Sequence, residues 1–512
     1  MTCLVYFLLY CAVSRLGLSK SPDWLEKSID AWGSDGSFDI KHLLCNKKKS
    51  HSKDISYTVW YKIGQIREDE FHAHLLSIKA MHGTFSNKVS WRPGFFSGYV
   101  LPGDVTNEVL EMVRSFTGIH SVGRTKYYSI RMAAPQDTKL GQVKLPWGLD
   151  RINQKRLPLD SRYHPVAYNG TGSNVFIVDT GIDTDHEQFS VRGNNKRIVK
   201  NLFDVADPDQ LIVPTNNDNV GHGTHVAGTI GGNDVGVSPG ANLYGVRVLD
   251  ENGSGDEMSI AEGLNFVRLW YLQNNLPPSV ISMSLGGSCG SLEKCLEDIL
   301  VNVVEELTSI GIVVVTAAGN GNCDSCLESP AFAPSSITVG ASSETDEAAF
   351  FSDFGKCIDI FAPGINVVSA CARVKCGNHL NETISFNGTS MACPHVSGVV
   401  AQLLEAYPAA NVTEITNKLM NDASMLVLDI KQDRPPAVTR NLLLQVPLEA
   451  PIATRKTGRP ELRDLGQGCE KTNKCSGNGF CQEGRCLCDG LAWGTNCSAI
   501  DITEHCDPVN MQ

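Results

Sequence analysis

The sequence predicts an α/β protein whose main domain is a parallel sheet with helices on both faces. Three observations predict this fold class. Between residues 143 and 446, short runs rich in Val, Ile and Leu alternate with longer segments of helical spacing, which is the pattern of repeated β-α-β units. A shorter β-α-β-α-β pattern precedes this domain, and six closely spaced cysteines follow it. We therefore expect a smaller unit on each side of the main domain.

The main domain is predicted to contain at least five strands and five helices. The strands are expected at Val175–Asp179, Leu243–Leu249, Val280–Leu285, Gly311–Ala317 and Ile337–Gly340. The helices are expected at His222–Gly231, Met258–Gln273, Leu292–Ser309, Ser390–Ala406 and Val412–Ala423. Asp179, Ser284 and Asn320 fall at or just beyond the carboxyl ends of strands, the edge at which open α/β sheets bind ligands. A site is expected along this edge.

The preceding stretch, Ile55–Ile130, is predicted to be a small α+β domain. Its strands are expected at Ser56–Ile63, Ser97–Leu101 and Ser121–Ile130, and its helices at Glu68–Met81 and Val105–Phe116. This order is close to the ferredoxin-like split βαβ plan. The alternative is an unrelated small domain.

Composition and the N-terminus indicate a secreted protein. The chain is 42% hydrophobic and 20% charged, and its net charge of −12 argues against nucleic acid as a partner. The apolar run Leu4–Val13 fits the core of a signal peptide covering residues 1–19, although a buried first strand is the alternative. No other stretch is apolar enough for a transmembrane anchor. The 18 cysteines suit an oxidising compartment.

Two polar segments are read as connections. Residues 20–54 carry the basic run Lys47–Lys49 and are predicted to be flexible and solvated. Residues 447–467 are rich in Pro, Gly and charge and read as a linker, and residues 499–512 form a tail.

Between the linker and the tail, residues 468–498 show the cysteine spacing C-x5-C-x5-C-x4-C-x-C-x8-C. This spacing resembles a disulfide-rich EGF-like module, which would be a site for a protein partner. The resemblance implies the pairs Cys469–Cys481, Cys475–Cys486 and Cys488–Cys497. Zinc binding by the same cysteines is the alternative.

Three residues of catalytic type stand in separate, characteristic turns. Ser390, in SFNGTSMACPHV, begins an apolar helix, where unpaired backbone N–H groups favour a developing negative charge. Asp179 ends the strand VFIVDTG, and His222 opens the helix GHGTHVAG. An orienting carboxylate, a base and a nucleophile are what acyl transfer requires. The alternatives are a structural Asp, a satisfied His and an N-capping Ser.

The motifs VDTGID, HGTHVAG, SLGG, AAGN and GTSMACPHV give the region from about Leu145 to Val446 a strong resemblance to the subtilisin family, in its proteinase K-like branch. The resemblance implies a subtilisin-like fold and a serine endopeptidase that hydrolyses protein or peptide substrates. Asp179 would orient His222, His222 would act as base, and Ser390 would be the nucleophile. Asn320, in AAGN, would donate a hydrogen bond to the oxyanion, although Asn after Gly is otherwise a common turn residue.

The same resemblance implies a zymogen. Residues 55–135 would be an inhibitory propeptide that templates folding and lies in the active site until it is cleaved between about Ile130 and Gln142. It also implies that an extended substrate pairs with backbone on both sides of the cleft. The residues that would provide this backbone are Gly253, Ser254, Gly255, Ser284, Leu285 and Gly286.

Calcium is the single cofactor that the resemblance implies, and its role would be structural. Pro334 and Ser336 would contribute backbone carbonyls and Asp359 a carboxylate, and such oxygen ligands suit Ca²⁺. A strand-end Asp without a metal is the alternative. The Gly231–Val237 turn is too short for the high-affinity calcium loop of bacterial subtilisins.

Covalent modifications complete the expectations. The resemblance implies the disulfides Cys326–Cys357 and Cys371–Cys376, with Cys393 a buried free thiol. Cys289, Cys295, Cys323 and Cys506 allow three pairings, of which Cys289–Cys295 is the most local. Glycosylation is expected at the sequons of Asn169, Asn381 and Asn411, and not at Asn252, where a glycan would obstruct the cleft.

Two other functions are compatible with this organisation. One is a non-catalytic, subtilisin-shaped binding protein that keeps its propeptide and acts through the EGF-like module. The other makes adhesion primary and proteolysis incidental. The intact set Asp179, His222, Asn320 and Ser390 favours the enzyme. The sequence gives no preference for the side chain that precedes the cleaved bond.

Overall fold

A computed structural model describes residues 56–446, with gaps at 63–65, 83–88, 91–94, 134–137, 141–144, 164–167, 193–195, 207–212, 276 and 431–438. It also describes two short strands, Gly479–Gln482 and Arg485–Cys488, which pair antiparallel. The predicted signal peptide, the basic segment, the linker, the tail and the rest of the EGF-like module, with its disulfides, lie outside the described residues. Among the described helices, none combines the length and the apolar character needed to span a bilayer.

The main domain is built on a nine-stranded sheet that is almost entirely parallel. In chain order its strands are Asn174–Asp179, Val199–Asp204, Asn242–Arg247, Ser279–Met283, Val313–Ala317, Ile337–Ser342, Ile360–Pro363, Ser424–Met425 and Leu442–Leu443. Asn174–Asp179 lies between Asn242–Arg247 and Ser279–Met283. All six of its residues are buried, which is typical of a parallel strand covered on both faces.

Helices cover both faces of this sheet. They are Trp147–Ile152, His222–Gly231, Glu257–Gln273, Leu292–Leu296, Ile299–Ser309, Arg373–Cys376, Thr389–Ala406 and Val412–Asp422. Val175 and Ile177 pack into the core that contains the His222 and Thr389 helices, whereas Phe176 and Val178 pack into the core on the other face. This alternation is the period of two that a strand imposes on its side chains.

The prediction of one helix over Leu292–Ser309 is wrong, because the structure has two. Leu292–Leu296 ends before Asp298, and Asp298 then caps the second helix by accepting the N–H of Leu300 at 3.0 Å. Asp is a preferred N-cap residue, so it starts a new helix instead of continuing the old one. The predicted strand Val280–Leu285 is also divided, since Leu285–Ser288 joins a different sheet from Ser279–Met283.

The N-terminal unit is a four-stranded antiparallel sheet, formed by Ser56–Tyr61, Val89–Ser90, Ser97–Pro102 and Ile119–Arg124. Two helices, Glu68–His82 and Asn107–Arg114, pack on it around a separate core. The predicted strand Ser121–Ile130 is wrong as one element. It divides after Arg124, and Tyr127–Ile130 leaves this sheet to pair with the main domain.

The N-terminal unit lies against the two helices Glu257–Gln273 and Ile299–Ser309. Trp60, Phe95 and Phe96 are buried in the same apolar cluster as residues of these helices, and the Arg268 guanidinium lies 5.0 Å from the centre of the Phe95 ring. This contact places the chain that leaves the unit at the edge of the main sheet.

Candidate active site

Asp179 and His222 meet at the carboxyl edge of the central sheet. Asp179 is the last residue of its strand, and His222 is the first residue of the helix that follows a left-handed glycine, Gly221. The Nδ1 of His222 lies 2.7 Å from Oδ1 of Asp179, and both side chains are fully buried. With Nδ1 donating to this carboxylate, Nε2 is left as the basic nitrogen. That Nε2 has no hydrogen-bond partner within the described part of the chain.

A second buried carboxylate, Asp218, joins the strand end to the helix start. Its oxygens accept hydrogen bonds from the hydroxyl of Thr180 at 2.9 Å, the N–H of Gly221 at 2.7 Å, and both the N–H and the hydroxyl of Thr224. Burial raises the pKa of Asp218. The sequence analysis missed this residue, although an Asp four positions before the motif histidine was a signal that could have been used.

Two other buried histidines are poor candidates for the base. The Nε2 of His225 lies 3.0 Å from the Val367 carbonyl, and Nδ1 of His395 lies 2.8 Å from the Met391 carbonyl. Burial lowers the pKa of His225 to about 3 and that of His395 to about 4. Each ring therefore stays neutral and supports the backbone, so neither is suited to act as the base.

Ser390 lies in the first turn of the Thr389–Ala406 helix, and it is buried. Its hydroxyl donates to the Ser284 carbonyl at 2.8 Å and not to His222. Pro394 lies inside this helix and has no N–H to donate to the Ser390 carbonyl. That carbonyl instead accepts a hydrogen bond from the Ser284 hydroxyl at 2.9 Å.

Asn320 is held beside the same helix start. Its Oδ1 accepts hydrogen bonds from both the N–H and the hydroxyl of Thr389, each at 2.9 Å. This fixes the carboxamide so that its Nδ2 is the remaining donor. Nδ2 is buried and has no partner among the described residues. A donor held in this way is suited to an oxygen that acquires negative charge.

The strand Tyr127–Ile130 fills the cleft beside these residues. On one side it pairs antiparallel with Ser254–Asp256, and on the other with Leu285 and Gly286. The N–H of Ile130 also donates to the Gly253 carbonyl at 3.0 Å. All six residues that were predicted to bind substrate backbone therefore lie on the two segments that flank one extended strand.

The next residue, Arg131, crosses Ser390. Its N–H lies 2.8 Å from Oγ of Ser390 and 3.2 Å from the Ser284 carbonyl. Its carbonyl accepts the N–H of Ser390 at 3.2 Å. Any side chain at Gly388 would collide with this carbonyl, since an added Cβ would lie 2.2 Å from it. The chain then continues past the site, and Ala133 donates to the Asn387 carbonyl at 2.8 Å.

The Arg131 side chain enters a buried acidic pocket, which we define by Gly286, Glu328 and Asp353. Its Nη2 forms an ion pair with Glu328, whose side chain is only 7% exposed. Burial raises the pKa values of Glu328 and Asp353, and the Arg131 guanidinium acts in the opposite direction on both. Oδ1 of Asp353 accepts the N–H groups of Gly321 and Cys323, each at 2.8 Å, so it also anchors the loop after Asn320.

At the other end of the strand, the Tyr128 side chain is buried against Asp298. The phenol donates to both Asp298 oxygens, at 3.0 and 2.9 Å. Burial, with the nearby Asp298 carboxylate, raises the pKa of Tyr128, so the phenol remains a donor. Asp298 also accepts from Lys126 at 2.6 Å and from Ser329 at 2.7 Å.

Comparison with known proteins identifies the family. Residues 170–467 match the Subtilase family. An extracellular serine proteinase of Thermus sp. (strain Rt41A) is 40% identical over 316 residues, which are 61% of this chain and 70% of the relative. The chain belongs to the subtilase family. Membership makes it a serine endopeptidase of the subtilisin type.

Two further similarities agree with this subtilase assignment. The alkaline serine exoprotease A of Vibrio alginolyticus is 35% identical over 349 residues, which are 68% of this chain and 59% of the relative. A crystal structure of a cold-adapted subtilisin-like serine proteinase matches with a TM-score of 0.51 and 36% identity, covering 60% of this chain and all of that one.

Three disulfides are formed between described cysteines of this subtilase. They are Cys289–Cys295, Cys326–Cys357 and Cys371–Cys376. Cys323 is also disulfide-bonded. Cys393 is a buried free thiol, and burial raises its pKa to about 11. It lies in the helix of Ser390 but contacts Ser282 and the Val315 carbonyl, so it serves as a packing residue.

The predicted calcium ligands of the subtilase fit a cation poorly. Oδ2 of Asp359 accepts the N–H of Thr338 at 2.9 Å, and Oδ1 lies 3.2 Å from the Arg440 guanidinium. A cation bound by Asp359 would face that positive charge. The calcium site at Pro334, Ser336 and Asp359 stays a prediction.

The three sequons predicted to be glycosylated lie on the surface of the subtilase. Asn169, Asn381 and Asn411 are all exposed. Asn411 caps the Val412–Asp422 helix with its side-chain oxygen, which leaves its amide nitrogen, the atom to which a glycan is attached, out of the cap. Asn252 adjoins the Gly253 segment of the cleft.

Proposed function

We propose that this subtilase is a secreted serine endopeptidase made as a zymogen, with Asp179, His222 and Ser390 as its catalytic triad. The observation that carries the proposal is the position of the Arg131 carbonyl. This carbonyl accepts a hydrogen bond from the N–H of Ser390, and the amide nitrogen of Arg131 lies 2.8 Å from Oγ of Ser390. The chain therefore lies across the nucleophile as a peptide substrate would.

The first step is attack on the Arg131 carbonyl. Oγ of Ser390 turns away from the Ser284 carbonyl, and its proton passes to the unpartnered Nε2 of His222 as Oγ bonds to the carbonyl carbon. Asp179 holds the Nδ1–H of His222, and it stabilises the imidazolium that forms. The main contribution of Asp179 is to fix the orientation of the His222 ring before the reaction.

The negative charge then collects on the Arg131 oxygen. The Ser390 N–H already contacts this atom, and Nδ2 of Asn320 supplies the second donor. His222 returns the proton to the nitrogen of Met132, and the bond between Arg131 and Met132 breaks. A water molecule, deprotonated by the same His222, hydrolyses the acyl-enzyme and regenerates Ser390.

The N-terminal unit acts as the inhibitory propeptide. Its connection, Tyr127–Ile130, occupies the cleft with backbone hydrogen bonds on both sides, and the unit is anchored by Trp60, Phe95 and Phe96. After cleavage, the new carboxyl end at Arg131 remains bound as a product. The cut falls inside the range expected from the sequence. Release of the unit is then required for activity toward other substrates.

Location and partners follow from the flanking regions. The predicted signal peptide and the disulfides favour an extracellular or secretory-pathway enzyme. The EGF-like module would bind a protein partner and direct the protease to it. Deletion of the residues after Gly468 is expected to remove targeting and to leave peptide cleavage intact.

Labelling with a fluorophosphonate, which reacts with activated serines, tests the proposal. In the full-length chain Ser390 is covered by Arg131, so labelling is expected only after the chain has been cleaved and the N-terminal unit has been lost. Ser390→Ala should abolish labelling, whereas Ser397→Ala, in the same helix, should not. Labelling of Ser390→Ala at the wild-type level would contradict the proposal.

A further inference from the structure

The acidic pocket has one occupant in the structure, and it is a guanidinium. The Arg131 side chain is 17% exposed and forms its ion pair with Glu328 inside the pocket. Among the described residues, no other cation pairs with Glu328. A buried carboxylate is costly unless an opposite charge or hydrogen bonds compensate it. Loss of this occupant therefore leaves a site that favours another positive charge.

The shape of the pocket also fits a planar cation. A Cβ added at Gly286 would lie 2.9 Å from Nε and 3.0 Å from Nη2 of Arg131. The bare glycine therefore lets the guanidinium lie against the backbone of the cleft. Asp353 lies beside Glu328, and burial together with the Glu328 carboxylate raises the pKa of Asp353 to about 8, so Asp353 adds little negative charge at neutral pH. Both acids come from segments outside the catalytic motifs.

We propose that Glu328 determines substrate specificity, so that this subtilase cleaves after arginine and, more weakly, after lysine. The proposal rests on the proposed function, because it needs Arg131 to mark the residue that precedes the cleaved bond. Arginine is preferred over lysine because its planar fork can lie on Gly286 and reach the carboxylate, whereas an ammonium is a compact, strongly hydrated charge. An uncharged side chain would leave the Glu328 carboxylate buried without a compensating positive charge.

The connection to the N-terminal unit follows the same rule. The first peptide bond that lies at Ser390 follows an arginine, Arg131. Maturation and substrate cleavage therefore use the same specificity. A mature molecule could therefore also process a neighbouring zymogen. Of the described residues after Arg131, Ala133 contributes a backbone contact to Asn387.

The test uses the mature enzyme and peptides of the sequence Tyr-Ser-Ile-X-Met-Ala, in which X is Arg, Lys, Leu or Glu. We expect kcat/KM for X = Arg to exceed that for X = Leu by roughly 100-fold, the scale of losing one partner of a buried charge pair. Glu328→Gln should reduce the ratio of arginine to leucine cleavage to near one. Glu328→Asp keeps the charge and should restore part of the ratio.

The outcomes separate this proposal from the proposed function. Equal cleavage of the arginine and leucine peptides by the wild type would overturn the specificity, while a Ser390→Ala control without activity would leave the triad standing. Activity in that control would instead remove the proposed function. If Glu328→Gln does not fold, the wild-type series alone decides. An arginine preference that survives unchanged in a folded Glu328→Gln enzyme would also reject Glu328 as its source.

Discussion

The catalytic edge and the acidic pocket lie side by side but are assembled in different ways. At the catalytic edge, Asp179, His222 and Ser390 each stand at the end of a strand or the start of a helix. In the acidic pocket, Glu328 comes from a two-residue strand and Asp353 from an irregular segment. The candidate catalytic residues therefore lie in regular elements and short motifs. The residues that contact the substrate side chain do not.

We therefore expect that mutations can change the reaction rate and the substrate specificity independently. The catalytic edge contacts only the carbonyl and amide groups that all peptides share, whereas Glu328 contacts a side chain. A variant at the catalytic edge should therefore slow every substrate equally. A variant in the acidic pocket should change the order of substrates.

The largest separable effect is expected at Asn320. Asn320→Leu removes Nδ2, which we propose as the second donor to the oxyanion, and should lower kcat by about 10²–10³, the loss known for such a donor in subtilisin. The loss should be the same for the arginine and the leucine peptide. Steady-state kinetics on both peptides measure this, with the melting temperature as the control for folding. An unchanged kcat would remove Asn320 from the mechanism.

Reversal of the charge at Arg131 should come next. Arg131→Glu places a third acid beside Glu328 and Asp353, so self-cleavage of the full-length chain should slow by roughly 100-fold. Arg131→Lys is the matched control and should be processed at an intermediate rate. The fraction of cleaved chain is followed over time on denaturing gels. Processing of the Glu variant at the wild-type rate would show that the pocket does not select charge.

The pH dependence of specificity is a smaller effect. Burial raises the pKa of Glu328, and bound arginine lowers it, with Asp353 and the Ser288 hydroxyl as the other groups that interact with it. Arginine therefore binds the ionised pocket more tightly. As the pH falls through the pKa of the empty pocket, KM for the arginine peptide should rise and KM for the leucine peptide should not.

The ratio of the two specificity constants is the measurement, because a pH effect on the chemical step that both peptides share cancels in the ratio. The ratio should fall from neutral to acid pH in the wild type. In Glu328→Gln it should be constant. A ratio independent of pH in the wild type would mean that Glu328 does not bind as the anion.

The smallest effect is expected at Tyr128. Asp298 keeps Ser329 and the N–H of Leu300 when the phenol is absent, so it is less dependent on its occupant than Glu328 is. Replacing Tyr by Phe in the peptide substrate should raise KM by about three- to tenfold, the scale of one ordinary hydrogen bond, because Asp298 keeps its other donors. The control is a peptide in which the serine that corresponds to the exposed Ser129 is replaced by alanine. An increase in KM as large as that caused by replacing the arginine would show that Asp298 depends on its bound side chain as much as Glu328 does.

The sequence was sufficient for the regular parts of the fold. The strand ending at Asp179 and the helices beginning near His222 and Ser390 lie where their apolar periodicity places them. The break at Asp298 was missed because apolar spacing continues through it, and only the capping hydrogen bond divides the helix. The division after Arg124 was missed because Tyr127–Ile130 pairs with distant segments.

The same limit applies to the site. Each candidate catalytic residue stands in a motif, so local sequence is enough to select it. Glu328 acquires its position through the pairing of its short strand with Gly287 and Ser288, about forty residues earlier in the chain. Nothing in its immediate sequence marks it. Asp218 lies between these cases, since it is close to a motif but acts through contacts that span the strand and the helix.

The most direct test is the N-terminal sequence of the mature enzyme. The wild-type chain should yield a fragment that begins at Met132, and Ser390→Ala should remain uncleaved at that bond under the same conditions. This result would place the bond between Arg131 and Met132 at the nucleophile. A mature N-terminus at another position, or cleavage before Met132 in the purified Ser390→Ala chain, would contradict the account.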